Sequence, residues 1–81
     1  MIKLLEEIDE NILLADGFDK AIIGYIERVG NPIIACYDKS MCIEILMKDM
    51  SRDDAVEYFS FNVQGAYVGE YTPCFLTKLD D

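Results

Sequence analysis

A chain of 81 residues holds one domain, residues 1–81, with a small core: surface scaling lets it bury roughly 60 to 65% of what its unfolded form exposes. Its composition, 52% hydrophobic and 11% aromatic, lies well above the disordered range, so folding requires neither a metal nor a disulfide framework. A net charge of −9 argues against direct binding to nucleic acid or an anionic membrane and favours a basic partner, a cation or simple solubility, while the absence of histidine removes any Ser-His or Cys-His nucleophile pair and the usual imidazole of a zinc site.

The opening MIKLLEEIDENILLADG places Ile2, Leu5, Ile8 and Ile12 at helical spacing, with Glu6, Glu7, Asp9 and Glu10 on the other side. This predicts a short amphipathic helix that frays near Asn11. The pair Asp16-Gly17 marks a turn. Next, KAIIGYIERVGNPIIACYD contains two runs rich in β-branched and aromatic residues, separated by Gly30-Asn31-Pro32. That is a hairpin signal, because glycine takes positive φ easily and proline cannot donate to a ladder. In the first run Ile22, Gly24 and Ile26 face one way and Ile23, Tyr25 and Glu27 the other.

After Tyr37 the period changes. Met41, Cys42, Ile45 and Leu46 predict a helix of about three turns, capped by Asp38 or Ser40. SRDD at 51–54 is a capping-box pattern with aspartate in the last place, and both aspartates sit where the positive end of a helix dipole favours them. The helix it opens runs to about Gln64, carries Ala55, Val56, Phe59 and Val63 on one face, with Tyr58 and Phe61 beside it, and ends at Gly65 with an expected positive φ. TPCFLTKL supplies a last short strand, with Pro73 at its start. The elements add up to an α+β domain ordered helix, hairpin, helix, helix, strand, whose three-stranded antiparallel or mixed sheet is covered on one face by helices. Two open sheet edges make a homodimer a further expectation.

Two sets of residues are candidates for binding. The first is the loop FNVQGAYVGEYTPCF, where Asn62, Glu70, Tyr71 and Thr72 would gather at one rim of the sheet, with the Asn62 amide buried and bridged to the Thr72 loop. The second is the acidic turn of Asp53, Asp54 and Glu57, in which Asp53 and Glu57 form a like-charged i, i+4 pair. It lacks the six-ligand pattern of a calcium loop and reads foremost as a solvated helix start. No cofactor, metal site or catalytic residue is assigned, and the chain is not read as an enzyme. Cys36, Cys42 and Cys74 form no CxxC. With no signal peptide and no apolar run near the roughly 20 residues that span a bilayer, the chain reads as cytoplasmic, its thiols reduced and at least two of them buried.

GYIERVGNPIIACYDKSMCIEILM, followed by MSRDDAVEYFSFNVQGAYVGEYTPCFL, resembles a group of short acidic proteins encoded by bacteriophages and by the bacteria that carry them. The resemblance covers roughly Ala21 to Leu76, most distinctively Tyr58, Asn62, Gly65, Ala66, Gly69, Glu70, Thr72 and Pro73. It implies a phage origin and an accessory role in the host cytoplasm, and it carries over no activity or catalytic residue. The expected function is a small acidic protein that binds and modulates a host protein with a basic surface, such as an inhibitor of a nucleic-acid-binding host or defence protein. The alternative is a small-molecule or metal-binding module built on the Asn62–Thr72 loop. A third class, an enzyme using Glu70 or Asp38 with a tyrosine, ranks last.

Overall fold

The computed structural model of the protein describes residues 2–66 and 68–79. Helix α1 (Ile2–Ile8) buries Leu5 while Leu4 and Ile8 stay exposed. It stops earlier than the apolar spacing predicts, because Asp9 starts a turn of its own: Asn11 N–H donates to Asp9 Oδ1 at 2.9 Å and Ile12 N–H to Asp9 O at 3.1 Å. Short acidic side chains compete with helical bonding in this way. Ile12 therefore reaches the core from a turn and not from a helical stripe.

The chain then turns at Asp16-Gly17, where Gly17 has φ +89°, and enters the hairpin of β1 (Ile22–Ile26) and β2 (Ile34–Asp38). Gly30 in the connection has φ +80°, the conformation the hairpin reading requires. Ile22 pairs with Tyr37 but Gly24 pairs with Cys36, so Ile23 is an extra residue in β1. This β-bulge breaks the simple alternation predicted for the strand.

Asp38 ends β2 and also caps α2 (Lys39–Leu46), its Oδ1 accepting from Ser40 N–H at 3.0 Å and Met41 N–H at 3.4 Å. Of the two candidate caps the aspartate performs the role, and α2 has eight residues, shorter than three turns. Ser51 caps α3 (Arg52–Tyr58) by accepting Asp54 N–H at 3.2 Å, as the SRDD pattern predicts. Beyond Tyr58 the winding changes to π over Phe59–Gln64 where a regular helix was expected. Phe, Ser, Asn and Val are weak helix formers, which leaves the winding of this stretch to tertiary packing. Gly65 then has φ −78°, not the positive value predicted; Gly69 has it instead, at +106°.

Strand β3 (Cys74–Leu76) lies parallel to β2, with Cys36 beside Cys74, Tyr37 beside Phe75 and Asp38 beside Leu76, so the sheet is mixed with order β1-β2-β3. Parallel pairing follows from the crossover through α2 and α3. The helices cover the face that carries Ala35 and Tyr37, and the core joins these to Ala21, Ile22, Cys42, Ile43, Ala55 and Phe59. Phe75 clasps it, tilted against Tyr37 at 5.6 Å and edge-on to Phe59 at 5.0 Å between centroids. Such aromatic pairs add about 0.5–1.5 kcal/mol beyond area burial. Among the described residues no helix is long and apolar enough to cross a membrane.

Candidate functional site

Four pieces of chain meet around a groove of about 660 Å³: the turn over 13–18, the end of α2, the α3 and π segments, and the stretch leading into β3. Leu13, Leu14, Ile45, Leu46, Val63 and Phe75 make its walls largely apolar. The charged residues that line it are Asp16 and Asp49, both acidic. Tyr58, Asn62 and Thr72 contribute polar atoms.

Each wall has a local cause. The 13–18 segment is held in place by Tyr37, whose phenol oxygen accepts the Ala15 N–H at 2.7 Å from across the core. Burial foremost pushes the Tyr37 phenol above its ordinary pKa of 10.0, so it remains a neutral hydroxyl throughout the physiological range. On the facing wall, Tyr58 and Asn62 are presented by the passage from α helix into π winding, with the buried Phe59 anchoring that segment to the core. Short π stretches recur at functional sites because they re-aim the side chains that follow. The third wall is shaped by a turn in which the Thr72 hydroxyl donates to Gly69 O at 2.6 Å and accepts Val68 N–H at 2.9 Å.

The loop residues singled out in the sequence divide here. Asn62 and Thr72 both line the groove, but Glu70 and Tyr71 do not. Asn62 is exposed, and no hydrogen bond joins it to Thr72 among the described residues; the expected buried bridge is replaced by the internal turn of Thr72. Asp53, Asp54 and Glu57 are all exposed on the first two turns of α3. Asp54 lies one helical turn before Tyr58 and so extends the acidic rim of the groove along the same face.

Asp38 is engaged elsewhere. Burial alone would raise its pKa, but Lys78, whose Nζ lies 3.2 Å from Oδ2, and the Met41 and Ser40 amides outweigh that and hold it below the ordinary 3.8. Both its oxygens are occupied, which suits a structural cap and not a proton acceptor. Among the described residues no group of three or more Cys, Asp or Glu could hold a metal ion. No family model, curated protein or solved structure matches the chain.

Sequence reading missed the 13–18 wall and the acids Asp16 and Asp49. The one local signal was the apolar run Ile12-Leu13-Leu14, which outlasts the stripe of α1 and ends in a turn. Of that run Ile12 is buried in the core, while Leu13 and Leu14 line the groove.

Proposed function

We propose that the protein is a binding module whose groove takes a basic amphipathic segment of a partner protein. The observation that carries this reading is the pairing of apolar walls with charged lining of a single sign, Asp16 and Asp49, in a molecule of net charge −9. Apolar side chains of the segment would supply the contact area, and its lysines or arginines would meet the acidic rim that continues through Asp54. Charge complementarity of this kind mainly sets partner choice and association rate. On the sequence resemblance expected for residues 21–76, the proposed target is a host protein and the proposed place of encounter the host cytoplasm, with modulation of that protein as the outcome.

The test uses a synthetic amphipathic peptide bearing lysines on its polar face and a twin of the same apolar pattern bearing glutamates. The lysine peptide should bind and the glutamate twin should not. Asn62→Trp and Ala66→Trp, both at exposed positions that line the groove, should each weaken binding more than tenfold, whereas Gln64→Trp, exposed but outside the lining, should leave it unchanged. Binding of the lysine peptide that is indifferent to both groove-filling substitutions overturns the assignment of the site.

One observation favours a second reading, a small-molecule site. The groove volume of about 660 Å³ falls inside the range of roughly 300–1,000 Å³ usual for ligand pockets. A metabolite seated there would raise the melting temperature by mass action with no macromolecule present.

A further inference from the structure

Cys36 and Cys74 are register partners on the parallel strands β2 and β3. Residues aligned in this way project from the same side of the sheet, here the side opposite Tyr37 and Phe75. The two side chains are near enough for Cys36 to help raise the Cys74 thiol above its ordinary value. Neighbouring strands run about 4.8 Å apart, inside the roughly 4.4–6.8 Å between Cα atoms that a disulfide spans. Both are free thiols, as is Cys42, which sits fully buried in the core on α2. Cys36 is 6% exposed, whereas Cys74 is only half-buried and is the thiol a reagent meets first. On the other flank of Cys36 stands Gly24, where an added Cβ would meet nothing within 4 Å, so that side of the pair is open.

We propose that Cys36 and Cys74 form a reversible thiol–disulfide clasp that answers to oxidised low-molecular-weight thiols such as glutathione disulfide and fastens β3 to β2. In the first step the Cys74 thiolate attacks one sulfur of glutathione disulfide, forming a mixed disulfide and releasing one glutathione thiolate. The Cys36 thiolate then attacks the Cys74 sulfur, closing the protein disulfide and releasing the second glutathione. The protein loses two electrons and two protons, and two glutathione molecules carry them away. Thiolate is the attacking species in such exchange. Burial foremost, with Cys36 alongside, pushes the Cys74 thiol up to about 11, so little thiolate is present at neutral pH and the clasp closes slowly. The closed form fixes the base of the stretch that runs from Thr72 to Phe75, both of which line the groove.

The experiment incubates the native protein with glutathione disulfide and maps the products by peptide mass spectrometry after blocking residual thiols. The expected result is a Cys36–Cys74 cross-link at the mass of the chain less two hydrogens, with the free-thiol count falling from three to one and Cys42 remaining the blocked residue. Dithiothreitol should reverse it, and the oxidised form should melt several degrees higher. Cys42→Ala should form the same cross-link, which separates the proposal from general thiol reactivity. A product that stops at glutathione on Cys74, a cross-link that includes Cys42, or a native chain that stays unreacted while the urea-unfolded chain reacts would each overturn the clasp.

Discussion

The phenol oxygen of Tyr37 accepts the backbone N–H of Ala15 at 2.7 Å, joining the middle strand of the sheet to the turn that walls the groove. Tyr37 is fully buried, so the contact is a core interaction that also sets the shape of a surface feature. Tyr37→Phe should keep the ring packing and leave the Ala15 N–H without its partner, at a cost of about 1–3 kcal/mol. Urea unfolding measures the loss, and amide exchange at Ala15 should accelerate in the variant. Unchanged exchange at Ala15 would mean that the 13–18 turn is held by other contacts.

Acid should remove the contribution of Asp38. Its folded-state pKa lies below 3.8, so the stability it brings is complete above 3.8 and is lost as pH falls through the lower folded value. Asp38→Asn should therefore be less stable than the parent at pH 7, with the difference shrinking below pH 3.8. Lys78 is 65% exposed, and Lys78→Met should cost no more than about 1 kcal/mol because exposed ion pairs contribute little. A gap between parent and Asp38→Asn that persists at strongly acid pH would show that the cap acts through its neutral hydrogen bonds alone.

Two glycines between the π segment and the Thr72 turn should resist substitution for different reasons. At Gly65 an added Cβ would stand 3.0 Å from Ser60 O and 3.1 Å from Phe61 O, and backbone oxygens do not yield cheaply. Gly69 has φ +106°, where any side chain is strained. Gly65→Ala and Gly69→Ala should each destabilise the fold by about 1 kcal/mol or somewhat more, while the exposed Gln64→Ala should be nearly neutral. Thermal melts of the three variants provide the comparison. An unaltered melting temperature for Gly65→Ala would show that the π segment rewinds to make room.

The acidic surface should act on one side of the molecule. Asp54 extends the rim of the groove, with Asp53 and Glu57 exposed on the same short helix, whereas Glu6, Glu7 and Glu10 belong to α1 and the turn behind it; none of the six lines the groove. Reversing either set to lysine changes the net charge equally. The α3 triple variant should slow association with the basic peptide far more than the α1 triple variant, most clearly at low salt. Equal slowing by both would assign the charge to solubility.

Much of the fold is legible because its signals are local. Asp38 and Ser51 cap helices through their own side chains, and Gly17 and Gly30 take the positive φ that their turns need. Asn62 and Thr72 were legible as site candidates on the same ground, as polar groups in a glycine-rich loop. What could not be read from spacing depends on distant partners. Ile23 is the extra residue that β1 carries opposite β2, and Phe59, where the π turn begins, packs edge-on to Phe75, a partner far along the chain. The buried Asn62 bridge failed because Thr72 satisfied its hydroxyl within its own turn, a competition among near neighbours that the sequence leaves open.

The parallel pairing of β3 with β2 has a kinetic consequence. A hairpin such as β1 and β2 closes across a short loop, whereas pairing β3 with β2 closes a loop that holds α2 and α3 and so costs more chain entropy. Three residues held along a single edge should therefore open early in any partial unfolding. Phe75 travels with them, so the groove loses one wall in each such excursion without the remainder of the domain coming apart. An occupant that grips Phe75 would suppress those openings, and its residence on the protein would be limited by how often this short edge lets go.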